Sequence, residues 1–158
     1  MASRNIEDCT LSLQRKIKAF AIAMNRAGIP FIITCTARTV AEQFALWAQG
    51  RKSLNEVNRL REIAGLAAIT DQQNKYKVTW TLKSEHLVDL DDGNPDNDKS
   101  RAFDIAITRD GKPVWDVKVD VNGDRIPDYM QAGKIGESVG LHWGGRFSKP
   151  DYPHFQDA

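Results

Sequence analysis

Three histidines stand in this chain, His86, His142 and His154. Two of them keep company that suits metal chemistry. His86 closes Ser84-Glu85-His86, just after a stretch with strand character. His154 closes Asp151-Tyr152-Pro153-His154 near the end of the sequence. Between them, Asp104 is followed by the apolar residues Ile105, Ala106 and Ile107. A carboxylate at the start of an apolar strand is costly unless something compensates its charge. Zinc takes imidazole and carboxylate ligands, and a catalytic zinc uses three protein ligands plus water. His86, Asp104 and His154 form such a set. Asp151, three residues before His154, is placed to serve as the general base for the water. Spacing alone weighs this set evenly against surface acids and scattered histidines.

The elements that would position these residues follow from periodicity. Leu13, Ile17, Phe20 and Met24 mark one face of a helix over residues 10–28, with Thr10 as N-cap and Gly28 beyond its end. Residues 31–34 read as a buried strand. Thr39 caps a second helix over residues 40–49, closed by Gly50, and residues 54–66 suit a third. Residues 67–76 are polar and loop-like. Residues 78–82 alternate as a strand, and residues 90–99 are turn chemistry throughout. Residues 102–107 return to strand character. A turn at Arg109-Asp110-Gly111 leads to a hairpin partner over residues 113–117. Residues 127–139 suit a helix with Pro near its start. The expected fold is α+β, a small mainly antiparallel sheet packed with helices, in one domain spanning residues 1–158.

Composition narrows the function classes. The 158 residues suffice for one core. Lys and Arg number 22 against 21 Asp and Glu, so charge argues for neither a nucleic-acid nor a membrane-surface partner. No apolar run approaches the ~20 residues of a membrane span, and the first residues lack a signal peptide's apolar stretch. Synthesis in the cytoplasm, as a monomer, is the expectation. Cys9 and Cys35 make neither a CxxC pair nor a disulfide framework, and Cys35 reads as a buried, inert thiol.

The ordered pattern resembles a known family. Ser84 and His86, then Ser100, Ala102 and Asp104, then Trp143-Gly144-Gly145, then Asp151 and His154 resemble the zinc D-alanyl-D-alanine carboxypeptidase and L-alanyl-D-glutamate peptidase family. That family includes vancomycin-resistance dipeptidases and phage endolysins. Ala37-Arg38-Thr39, Glu42-Gln43 and Gly50-Arg51 resemble its upstream element. The resemblance implies zinc on His86, Asp104 and His154, with Asp151 as catalytic base. It makes Arg38 a catalytic and substrate-binding residue that holds a carboxylate or stabilises the oxyanion. Gln43 and Ser84 become substrate contacts or supports of one. The implied substrate is the peptidoglycan stem peptide, and the implied setting is an endolysin released to act on the cell wall. A cytoplasmic D,D-dipeptidase and a non-catalytic metal-containing binding domain are the alternatives.

One departure is plain. The family's His and Asp commonly stand seven positions apart, whereas here residues 87–99 hold an insertion and Ser100 replaces a Gly. Loop closure entropy grows slowly with length, so such an insert is tolerable. His142 precedes the Trp-Gly-Gly at a position the family leaves variable. Among the aromatics, Trp143 is the expected groove residue, and Arg146 is placed to pair with an acid or meet a substrate carboxylate.

Calcium is a second cofactor to weigh. Asp120, Asn122, Asp124 and Asp128 occupy loop positions 1, 3, 5 and 9, as in calcium loops. Arg125 stands where such loops have Gly, and Gln131 where they have Glu, which favours a solvated acidic turn. A joint site with the acidic insert is the other form of this reading.

Overall fold

The computed structural model describes residues 2–157. Helix α1, Leu11–Ala27, begins at Thr10, whose side chain accepts the Leu13 amide, and ends at Gly28 in the left-handed conformation. Its buried face is Leu13, Ile17, Phe20 and Met24, as the spacing requires. Strand β1, Phe31–Cys35, and the short β2, Arg38–Thr39, lead into α2, Val40–Ala48, and α3, Leu54–Ile63. Thr39 and Ser53 cap these helices through their hydroxyls. After a long irregular stretch come β3, Leu87–Val88, β4, Ala102–Arg109, and β5, Lys112–Val114. Helix α4, Asp128–Ser138, and strands β6, His142–Trp143, and β7, His154–Gln156, complete the chain.

The main sheet is antiparallel, in the order β1-β4-β7-β6. One edge of β4 pairs β1, and the other is divided between β7 and β5. Strand geometry sends alternate side chains to opposite faces. Phe103, Ile105 and Ile107 therefore meet α1 and join the core, together with Phe155 from β7. Phe20 sits at its centre, with ring centroids 5.3, 5.6 and 5.0 Å from Phe31, Phe103 and Phe155. The architecture is the α+β class expected from the sequence.

Three expectations need correction. Residues 78–82 form no strand: no ladder partner reaches them, and side chains take their carbonyls instead. Arg51 donates to Thr79 O at 3.0 Å and Gln43 to Thr81 O at 2.8 Å. The insert is not loop throughout, because Leu87–Val88 pairs in parallel with Arg38–Thr39, with Val88 buried. A joint calcium site between the acidic loops is ruled out by α1. Ser100, just past the insert, accepts the Thr10 amide at the helix's start. Asn122 donates to Ala27 O at its end. A 17-residue helix is about 25 Å long.

Candidate active site

The site grows out of strand alternation. On the face away from α1, Asp104 of β4 and His154 and Gln156 of β7 line a cleft of about 940 Å³. Asp104 and His154 are direct cross-strand partners, which places their side chains side by side. His86 arrives from the irregular stretch. Its backbone is held where Arg38 N donates to His86 O and Arg101 N donates to Glu85 O, both at 2.9 Å.

The three donors meet at one point. His86 Nε2 lies 3.1 Å from Asp104 Oδ1 and 3.2 Å from His154 Nδ1, and His154 Nδ1 lies 3.1 Å from Asp104 Oδ1. Ligands of a tetrahedral zinc sit about 3.3 Å apart. The outer nitrogens are engaged elsewhere, His86 Nδ1 on Thr36 O at 2.7 Å and His154 Nε2 on Gln156 Oε1 at 2.8 Å. Both acceptors require N–H at those positions, which leaves lone pairs on His86 Nε2 and His154 Nδ1. Two lone pairs and a carboxylate oxygen facing one another repel unless a cation or a proton lies between them. The donor set thus fits zinc.

The electrostatics agree. Burial lowers the His86 pKa, but its contacts with the Asp104 carboxylate and Cys35 outweigh that and push it up to about 10. Burial raises the Asp104 pKa, yet the two imidazoles hold its carboxyl well below the usual carboxylate range. The ionised Asp104 carboxylate thus favours positive charge at its two imidazole neighbours.

Asp151 stands at the mouth of the triangle. One of its oxygens, one of Asp104 and a ring nitrogen of His154 lie within 4.8 Å of one another. Asp151 is exposed as a residue, yet partial desolvation of its carboxyl raises its pKa and the Asp104 charge raises it further. The turn that presents Asp151 explains the Trp-Gly-Gly sequence. Gly144 O accepts the Asp151 amide at 2.9 Å, and a Cβ on Gly144 would lie 2.4 Å from Asp151 O. Only glycine allows the turn to close on that backbone. Trp143 anchors it by donating Nε1–H to Tyr152 O at 2.8 Å.

Arg38 points into the cleft. Its Nη2 is 3.6 Å from Asp104 Oδ2, and its Nη1 donates to Gln43 Oε1 at 3.3 Å. Gln43 itself is 1% exposed and off the cleft wall. It orients Arg38 and ties α2 to Thr79 and Thr81. Ser84 lines the cleft, where its hydroxyl accepts the His86 amide at 3.2 Å.

Three other residues singled out in the sequence lie outside the site. His142 is exposed on β6 and lies off the cleft. Trp143 is buried in the core rather than in the groove; Trp80 and Trp115 line the cleft instead. Arg146 pairs with Glu137 at 3.0 Å. Sequence reasoning missed two contacts. Cys35 Sγ lies 3.7 Å from His86 Nδ1, and Cys35 is the β1 partner of Asp104. Gln156 orients His154, and its position two residues beyond His154 on a strand was the available signal.

Comparison with known proteins agrees with this picture. The D-alanyl-D-alanine carboxypeptidase family model matches residues 98–157. That span holds Asp104, Asp151 and His154 but neither Arg38 nor His86. The chain is similar to the peptidoglycan L-alanyl-D-glutamate endopeptidase CwlK of Bacillus subtilis (strain 168). They are 28% identical over 94 residues, 58% of this chain and 56% of the relative, so the match spans little more than half of that protein's length. In fold it is similar to the crystal structure of Serratia marcescens L-Ala D-Glu endopeptidase ChiX. The TM-score is 0.54 at 19% identity, covering 99% of this chain and 87% of that one. The family resemblance read from the motifs is borne out.

Proposed function

We infer that this chain, a relative of the D-alanyl-D-alanine carboxypeptidases and L-alanyl-D-glutamate peptidases, is a zinc-dependent peptidase of bacterial peptidoglycan stem peptides. One observation carries the reading: His86 Nε2, His154 Nδ1 and Asp104 Oδ1 face one another within 3.2 Å, with both outer ring nitrogens engaged.

Zinc held by these three would act as a Lewis acid and make water nucleophilic near neutral pH. The chain's own residues supply the rest. Asp151 takes the proton of the attacking water and returns it to the leaving amine, so that water and amide become carboxylic acid and amine. Arg38 offers its guanidinium to the scissile carbonyl or to a neighbouring carboxylate of the stem peptide. Gln43 fixes the Arg38 rotamer, and Gln156 and Thr36 fix the imidazole tautomers. Lys83 and Lys149 on the cleft wall add positive charge that suits an acidic peptide.

The bond we propose is L-alanyl-D-glutamate. Both named relatives carry that specificity in their names. The proposed setting is cell-wall lysis by an endolysin. Mass spectrometry of digested peptidoglycan tests the bond. The expected products carry new D-glutamate amino termini. Loss of a single terminal D-alanine would replace this reading with a carboxypeptidase, and hydrolysis of free D-Ala-D-Ala alone with a dipeptidase.

A further inference from the structure

We propose that residues 120–131 form a calcium site at the head of α4, separate from the catalytic cleft. Two side-chain oxygens there are buried without a partner. Asp128 is fully buried, and its Oδ1 has no hydrogen-bond partner. Gln131 Oε1 is likewise buried without a partner. Buried polar atoms in native structures are nearly always satisfied, and a buried carboxylate oxygen is costly to leave bare. Counted from Asp120, these two orphans stand at positions 9 and 12, where calcium loops place ligands.

The rest of the loop has the matching form. Asp120, Asn122 and Asp124 stand at positions 1, 3 and 5, and Ile126 at position 7 offers its carbonyl. At position 6 calcium loops use glycine for a sharp turn. Here Arg125 takes that conformation, with φ of 70°. The Asp120 carboxylate accepts the amides of Gly123 and Arg125, both at 2.9 Å, which wraps the loop around it. The Asp128 carboxylate is turned onto the loop, its Oδ2 accepting the Val121 amide at 2.6 Å.

Two features set the affinity low. Gln131 supplies one oxygen where a Glu would supply two. Among the described residues, the acids of this loop do not bring three oxygens within 4.8 Å of one another. Asp120 and Asp124 must therefore turn inward on binding. The expected dissociation constant lies in the weak range of extracellular modules, about 10⁻⁴–10⁻³ M.

The site would brace the back of the catalytic strand pair. Gly133 of α4 packs against the Trp143 ring and Gly136 against Phe155, the neighbour of His154. Asn122 also ties the loop to the end of α1 through Ala27 O at 2.9 Å.

The test uses the full chain loaded with zinc, in buffer freed of calcium by ion-exchange resin. Calcium chloride is titrated by calorimetry and by thermal melting. One calcium per chain should bind, with Tm rising about 5 °C at a hundredfold excess over the dissociation constant. Asp124 is exposed, so Asp124→Ala should fold yet lose the calcium response. Gln131→Glu should tighten binding about tenfold or more. No heat and no Tm shift at ~10 mM calcium would overturn the proposal. So would a wild-type calcium response retained in both variants. Neither readout depends on peptidase activity, so failure here leaves the zinc reading standing.

Discussion

The two sides of the cleft are built on different principles. On one side the main sheet places Asp104 and His154 by strand register alone, as cross-strand partners on the face opposite α1. On the other side His86, Ser84 and the wall from Val78 to Lys83 come from a stretch with little regular structure. Its anchors are the two-residue ladder to Arg38–Thr39 and side-chain bonds from Gln43 and Arg51 to its carbonyls. The sheet side resists change because moving Asp104 or His154 means slipping a whole strand, which would send core residues to the cleft face. The irregular side is held by single contacts, each removable. Specificity in enzymes is commonly varied on such segments while the scaffold stays fixed.

The largest effect should come from the sheet side. His154→Ala should lose both metal and turnover, whereas Asp151→Asn should keep the metal and lose about 10²–10⁴-fold in kcat, because Asn cannot take a proton. Metal content and kcat measured on both variants check this. Near-normal turnover in Asp151→Asn would move the base elsewhere. Next is the packing behind the sheet. A Cβ on Gly133 would lie 2.3 Å from the buried Trp143 ring. Gly133→Ala should therefore destabilise by about 1–3 kcal/mol in urea melts, despite alanine's better helix propensity.

A smaller effect belongs to the strap that ties the chain's end to α1. Lys16 Nζ is 2.6 Å from Asp157 Oδ1, and Ser12 donates to Oδ2 at 2.6 Å. Burial raises the Asp157 pKa, but the hydrogen bonds and charge of Lys16 outweigh it and hold the carboxyl below its ordinary value. A depressed carboxylate pKa contributes stability above the unfolded value, and that stability is lost as pH falls through the folded value. Asp157→Asn should therefore cost about 0.5–1 kcal/mol at pH 7. The cost should fade as pH falls through the lowered Asp157 value, as acid-dependent melts would show.

The smallest effect is expected in the insert. Asp89 N donates to Asn97 O at 3.1 Å, so the ends of the excursion already meet. Replacing residues 90–96 by a short Gly/Ser turn should change stability by no more than about 1 kcal/mol and leave the metal content unchanged. Loss of metal on deletion would show that the irregular side positions His86 more tightly than its contacts suggest.

This contrast also marks what the sequence made legible. The helices announced themselves through spacing and caps, as with Thr10, Thr39 and Ser53. β4 did so through its apolar run. Residues 78–82 alternate like a strand, yet no partner reaches them, because their carbonyls are taken by Arg51 and Gln43 from α2 and its flank. Pairing is a tertiary fact that alternation cannot report. Trp143 beside two glycines suggested a groove. The glycines are small for other reasons, to admit the Asp151 turn and the Trp143 ring. Cys35 looked inert because its contact with His86 joins residues 51 positions apart.

Peptidase chemistry at this cleft requires that the triangle of His86, Asp104 and His154 hold a metal. The most direct measurement is elemental analysis of the protein purified without added metal, paired with activity after chelation. About one zinc per chain is expected. A chelator should abolish turnover, and zinc should restore it. Protein that carries no metal and cleaves its substrate equally well in the chelator's presence would contradict the account.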